Sequence, residues 1–425
     1  MQRFNRISRL YYGWYIAVAL AATETISWGI VYYAFTVFIT PMETELGWSR
    51  SQLTGGFSLA LLIAGAMAFP VGTWIDRHGA RWLMTSGSIL ASLLVIAWSQ
   101  VNDLTTFYLV WAGLGVCAAT VLYEPAFAVM AIWFVRRRST ALAIITFAAG
   151  LASTIFVPLS DALLRSFGWR QSIMMLGIFL AVTTIPLHAL VLRRRPADMG
   201  LLADGEAKAM ESHTTVTHFS LSDALHSRFF WLLTLAFSLA YLAANAIRVH
   251  FIPFLIDSGI DASTAALASG SIGLMQVAGR LVFAPLDSRF SGRVMVATVF
   301  ALQASGMFVL LVGGASLMTV GIFIMIFGAA YGAQTLARAS IIAELFGSAH
   351  YGRISSVMAL FLTLAGTIAP VGAGLIYDHL GSYQLVLVLV VFLALTASSL
   401  IAFSKPEERK AIEQLAIKPS LNETA

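Results

Sequence analysis

The sequence predicts an all-α membrane protein, with twelve transmembrane helices in two pseudo-symmetric six-helix halves. Three observations carry this expectation. Of 425 residues, 59% are hydrophobic and only 11% charged, where a soluble domain carries about a quarter. Twelve apolar runs reach the roughly 20 residues that a helix needs to cross a bilayer. Motifs also recur at offsets of 211–216 residues, half the chain apart. The mean hydropathy of +0.82 agrees: water cannot be the solvent for most of this surface.

The first run, 13–40, is longer than the core of a signal peptide, carries Glu24 and lacks a small-residue cleavage site, so it reads as a spanning helix. Five more follow near 51–71, 83–100, 105–134, 140–163 and 170–192. The second six lie near 229–256, 264–286, 293–314, 316–340, 352–376 and 382–403. Between the sets, residues 193–228 are polar and open on Arg-Arg-Arg-Pro, the composition of a linker. The expected division is a bundle over 1–192, the linker, a bundle over 229–404 and a tail over 405–425.

The net charge of +5 does not point to nucleic acid, because the basic residues form short clusters between apolar runs. With the N-terminus inside, 20 of the 26 Lys and Arg fall in cytoplasmic segments. Only Arg50, Arg165 and Arg170 fall in the opposite loops, and Arg248, Arg280 and Arg338 lie within spans. That asymmetry places both termini in the cytoplasm of a multi-pass protein of the cell membrane, the inner membrane in a Gram-negative cell. The single cysteine, Cys117, excludes a disulfide framework and a cysteine metal centre. No span holds a nucleophile–base pair, a metal-spaced histidine cluster or a phosphate loop, so neither an enzyme nor a cofactor is expected. A monomer in the lipid bilayer is.

The repeated motifs are specific. After the second helix stand Gly72, Asp76, Arg77, Gly79 and Arg81; after the eighth stand Asp287, Arg289 and Arg293. Gly150, Pro158 and Phe167-Gly168-Trp169-Arg170 are matched by Gly366, Pro370 and Leu380-Gly381-Ser382-Tyr383. A repeat of this kind is the mark of alternating access about a central site. The first loop resembles the signature loop of the major facilitator superfamily. Glycines there permit tight turning, and Asp76 with the arginines can cap and bridge helix ends.

Further stretches resemble the monocarboxylate-transporter-like branch. They are Glu45-Leu-Gly-Trp-Ser-Arg50, Tyr123-Glu124-Pro125, Trp133-Phe134, His250-Phe-Ile-Pro253 and Gly279-Arg280. Two departures stand out: helix one has no lysine, and Gln276 occupies the position where the animal carriers have an acid. Proton coupling therefore does not transfer from those carriers residue by residue.

Ionisable groups within the bilayer cost about 2.5–3.5 kcal/mol each at mid-span on insertion scales, so each is a candidate for function. Arg280 lies roughly 9 Å inside the cytoplasmic end of helix eight and shares a face with Gln276 and Gly273. A guanidinium there suits a carboxylate, or it snorkels to the headgroups. Tyr331 in helix ten is either a substrate contact or a core aromatic, and Arg338 is placed to anchor or gate. In helix seven, Arg248 and His250 point about 200° apart and cannot share a cavity. The resemblance favours His250, which would exchange a proton near neutral pH or act structurally. Tyr32, one face with Glu24 and Trp28, and Tyr123 join the candidate contacts. Glu24 and Glu124 are the candidate coupling acids, or alternatively partners of a buried arginine.

The function expected is secondary transport of a small organic anion, a monocarboxylate, with protons. The alternative is a proton-driven efflux antiporter for a hydrophobic drug or metabolite. Such antiporters carry a glycine- and proline-rich motif in helix five, whereas here seven residues separate Gly150 from Pro158.

Overall fold

The computed structural model describes residues 11–205, 221–287, 289–346 and 351–404. The centre of the linker and the tail lie outside the described residues, as do the side chains of Asp76 and Asp287. Eleven continuous helices among the described residues are long and apolar enough to cross a membrane. The longest, Arg138–Val191, has 54 residues and contains a turn at Gly168, whose φ of 75° only glycine adopts easily. It therefore supplies two spans, and the count is twelve.

The spans are α1 (Tyr12–Leu46), α2 (Arg50–His78), α3 (Ala80–Trp98), α4 (Leu104–Trp133), α5 (138–167) and α6 (169–191). They continue with α7 (Arg228–Asp257), α8 (Ala262–Asp287), α9 (Gly292–Gly313), α10 (Leu317–Phe346), α11 (Tyr351–Leu380) and α12 (Gln384–Ala402). Several hydroxyls within them are satisfied by the helix backbone. Ser92 donates to the Ser88 carbonyl at 2.8 Å and Thr234 to that of Phe230 at 2.7 Å, so neither leaves a stray donor in hydrocarbon. Large apolar side chains such as Phe69 (82% exposed) and Val312 (70%) face outward, as a lipid-facing surface requires.

Two helices are not the plain spans that their hydropathy predicts. In α1 a π-helical turn covers Trp28–Tyr33, and Gly29 there packs against the Phe156 ring so closely that any Cβ would overlap it. Helix α4 breaks at Leu122, which is extended, and restarts as Tyr123–Trp133. Pro125 is tolerated in the first turn of that second piece because no intrahelical N–H is needed there. The N-terminal piece of α4 is capped by Asp103, which accepts from Thr106 N at 2.8 Å.

The chain forms two compact units, with one boundary inside the linker, between Ser212 and His213. One holds residues up to Phe35 and Ile63–Ser212; the other holds Thr36–Leu62 together with everything from His213. The C-terminal part of α1 and the first half of α2 thus cluster with the second six helices, for a reason given below. The core of the first unit gathers Leu20, Met84, Met130, Trp133 and Ile145. That of the second gathers Phe230, Phe237, Phe300, Ile341 and Met358.

In the first unit, Tyr11 and Tyr12 donate to the carbonyls of Trp133 and Val191, both at 2.9 Å, fastening the start of α1 to the ends of α4 and α6. Asp204, at the start of the linker, accepts from the backbone N–H groups of Val135, Arg136 and Arg137 at 2.8, 2.7 and 3.1 Å. Burial alone would raise its pKa, but these donors and the Arg137 charge hold it below the usual carboxylate value.

Candidate functional site

The signature loop between α2 and α3 is a structural clasp. Gly79, at φ 81°, lies under the side chain of Arg194, which donates to the Arg77 carbonyl at 2.5 Å. Arg81 donates to the Ala189 carbonyl at 2.8 Å, joining α3 to the end of α6. Arg77 is exposed, and a Cβ on Gly72 would meet open space. In the second copy of the loop, Arg289 is exposed at the turn. Glu344 accepts from Gly292 N at 3.0 Å and so caps α9, a role in keeping with the positive end of a helix. Arg338 is half-buried in α10, two turns beyond Tyr331.

In the first unit, α1 and the second piece of α4 bring four of the predicted residues together. Trp28 lies 5.1 Å from Tyr32 and 5.0 Å from Tyr123, ring centre to ring centre, and Tyr123 stacks on Phe127 at 5.0 Å. One turn before Trp28 is Glu24, 0% exposed, with no hydrogen-bond partner for either carboxyl oxygen among the described residues. Glu124 is exposed in the first turn of the restarted helix. A second buried histidine, His188, bonds the Ser88 hydroxyl through Nδ1 at 2.8 Å, while its Nε2 has no partner among the described residues.

In the second unit, α8 and α10 meet along glycines. A Cβ at Gly279 would enter the Ala329 carbonyl, and one at Gly332 would enter that of Gln276. This close seam carries Gln276 and Arg280, only 4% and 8% exposed, and Gln276 Nε2 has no partner among the described residues. Gln334 is engaged elsewhere, accepting from Gln303 at 2.7 Å. Tyr331 ends an aromatic run up α10 with Phe323 and Phe327, and Arg248 donates to its hydroxyl at 2.5 Å. The Arg248 guanidinium lies 4.6 Å from the Tyr331 ring centre.

His250 does diverge from Arg248 as the 200° spacing requires. The structure turns it away from Tyr331 and engages both of its ring nitrogens. Nε2 is 2.8 Å from the Pro370 carbonyl and Nδ1 is 2.8 Å from the Tyr383 hydroxyl. Since a carbonyl only accepts, the proton is on Nε2 and the Tyr383 hydroxyl donates to Nδ1.

The same Tyr383 hydroxyl accepts from Arg50 at 2.9 Å, and Arg50 is the centre of a cluster that sequence reasoning did not find. Its guanidinium binds both oxygens of Asp257, reaches Glu43 at 3.0 Å and lies 4.0 Å over the Tyr377 ring. Asp378 accepts from the backbone N–H groups of Arg50 and Ser51, capping α2. These bonds draw the C-terminal part of α1 and the start of α2 into the second unit. The available signal was Arg50 itself, one of three basic residues in the loops that are otherwise poor in positive charge.

Twelve apolar spans, a repeated loop motif and ionisable groups within the spans define a polytopic transporter. The Major Facilitator Superfamily family model matches residues 19–258 and again 235–422, and the chain belongs to that superfamily. It is 25% identical to an MFS-type transporter of Bacillus subtilis (strain 168), YcxA, over 86% of this chain and 88% of that protein. It is 26% identical to human monocarboxylate transporter 11, over 88% of this chain and 78% of that one. Among solved structures, a D-xylose-proton symporter superposes with a TM-score of 0.74 at 13% identity, covering 93% of this chain and 99% of its own. A bacterial homolog to the human lysosomal transporter Spinster gives 0.71 at 15% identity, with 96% and 97% covered.

Proposed function

We propose that this transporter carries a small organic anion, a monocarboxylate, together with a proton, by alternating access and with both termini in the cytoplasm. The observation that carries the reading is the α8 pair: a buried guanidinium at Arg280 one turn from a buried amide at Gln276 whose N–H donor has no acceptor among the described residues. Donors of this kind match a carboxylate. Human relatives at low identity bear the name monocarboxylate transporter, which supports the same substrate class. Tyr331 contributes a contact, and His250, already engaged at both nitrogens, is left out of the binding set.

Glu24 is the proton carrier in this reading. It is fully buried within a span, and neither carboxyl oxygen has a hydrogen-bond partner among the described residues, which marks it as a candidate for function. The exposed Glu124 is the lesser candidate.

The test is uptake of labelled monocarboxylates into proteoliposomes with and without an inward proton gradient. Arg280→Ala removes a charge-assisted contact of about 2–3 kcal/mol, so uptake at low substrate falls by roughly 30- to 150-fold. Glu24→Gln keeps exchange of internal for external substrate but loses gradient-driven accumulation. An Arg280→Ala protein that transports like wild type sinks the anion reading, and gradient-driven accumulation by Glu24→Gln sinks the coupling role.

A further inference from the structure

We propose that Arg81 and Arg293 hold the headgroups of two anionic phospholipids, one at the start of α3 and one at the start of α9. The inference concerns the lipid around the transporter and stands apart from the substrate reading.

The two sites are copies of one arrangement. Arg81, in the first turn of α3, donates from Nε to the Ala189 carbonyl in the last turn of α6 at 2.8 Å. Arg293, in the first turn of α9, donates from Nη2 to the Ala402 carbonyl at the end of α12 at 3.0 Å. Arginine and acceptor in the second copy follow those of the first by 212 and 213 residues, inside the offset of the sequence repeat. Each copy lies within a single unit, the first in the first and the second in the second.

Tying two helix ends takes one N–H, and a guanidinium has five. Neither Arg81 nor Arg293 makes another hydrogen bond or an ion pair with protein among the described residues, so the remaining donors of both stay open. Both side chains are half-buried, and the carbonyl bond fixes their direction. A guanidinium held in this way presents a planar fork that matches two oxygens of a phosphate.

The surroundings decide between a soluble anion and a lipid. The residue after each arginine is Trp82 or Val294, and the residue after each acceptor is Leu190 or Phe403. All four are between 50% and 83% exposed, and the Arg81 guanidinium lies 5.0 Å from the Trp82 ring centre. Cation and outward apolar side chains therefore meet at the end of a span, where headgroups give way to hydrocarbon. A free phosphate gains nothing from such a wall. A phospholipid sets its phosphate on the arginine and its acyl chains over the apolar side chains. The charge of the lipid follows too: residues 72–82 and 189–198 hold five arginines against two aspartates, and residues 286–294 hold two against one. That excess favours a headgroup of net negative charge over a zwitterion.

The experiment counts lipids on the full-length protein in detergent by native mass spectrometry. The probes are phosphatidylglycerol and phosphatidylcholine with the same acyl chains, each titrated alone. Wild type is expected to take up two phosphatidylglycerol molecules, each at least about fivefold more tightly than phosphatidylcholine. Arg81→Gln and Arg293→Gln each lose one of the two, and the double variant retains no preference between the lipids. Arg77→Gln, which removes an equal charge near the first site, leaves both. Inorganic phosphate at millimolar concentration displaces neither.

A wild type that binds the two lipids equally overturns the proposal without recourse to a variant. Loss of as much lipid in Arg77→Gln as in Arg81→Gln also overturns it, because the attraction is then one of diffuse charge. Displacement by inorganic phosphate does the same, since the sites then serve a soluble anion. Where a glutamine variant does not fold, Arg81→Lys and Arg293→Lys keep the charge without the fork. Each should weaken one phosphatidylglycerol and spare the other, and unchanged binding in both leaves the arginines as ties between helix ends alone.

Discussion

Replacing Arg50 by Gln removes one charge at the centre of five interactions. The side chain of Arg50 is 3% exposed, so it was stripped of water on folding and depends on its partners. Breaking a buried ion pair from one side costs about 3–5 kcal/mol. Asp257 and Glu43 remain 29% and 28% exposed, so water reaches them in the variant and the lower end, about 3 kcal/mol, applies. The lost contact with the Tyr377 ring adds about 0.5–1 kcal/mol. A unit of this size loses about 2–4 °C of melting temperature per kcal/mol, which gives a fall of roughly ten degrees. Thermal unfolding in detergent, followed by tryptophan fluorescence, reads it. Asp257→Asn should cost somewhat less, because Arg50 keeps Glu43 and Tyr383. The double variant should melt close to Arg50→Gln alone, since the shared interaction has already gone. A single variant within about two degrees of wild type, or a double variant that falls by the sum of the two, would refute the reasoning.

Three further outcomes follow from the packing. Gly279→Val should cost at least about 3 kcal/mol and abolish binding of any acid, because its side chain enters the Ala329 carbonyl; Gly72→Ala, with open space around it, should melt as wild type does. The bonds of Asp204 hold its pKa below the ordinary value, so its contribution is present above about pH 4 and is lost as pH falls through the depressed value. At neutral pH, Asp204→Asn should mimic that loss of about 1 kcal/mol and speed trypsin cleavage at Arg136–Arg138 by about fivefold, whereas an unchanged rate would mean that Asp204 does not hold that loop. Cys117 is 0% exposed, so the folded protein should resist a maleimide and react only on unfolding; labelling at wild-type fold would place the thiol at the surface.

The twelve spans were legible because crossing a bilayer imposes a length and a composition that no tertiary detail overrides. The turn at Gly168 and the clasp at Gly79 were legible too, since local glycine motifs announce local geometry. The break at Leu122 and the π-helical turn at Trp28–Tyr33 were not, because each is set by what packs alongside an unbroken apolar run. Helical spacing showed that Arg248 and His250 must diverge, but not which of them meets α10, which depends on the neighbouring helix. The Arg50 cluster joins residues 207 and 333 positions apart, a separation that leaves no pattern in a local window. The same cluster groups Thr36–Leu62 with the second unit, while the chain otherwise divides inside the linker.

Tyr383 has one hydroxyl proton and stands between Arg50, which gives it a hydrogen bond, and His250, which takes one. Each proton in that run has its direction dictated by its neighbours, and the last of them is fixed by the Pro370 carbonyl. Any event that withdraws Arg50 frees the tyrosine to rotate and changes the bond at His250 Nδ1. The protein thus contains its own spectroscopic reporter: with eight histidines in the chain, the nitrogen resonances of one imidazole would register whether the Arg50 cluster is intact. No probe need be attached, and no residue of the cluster itself need be altered to follow it.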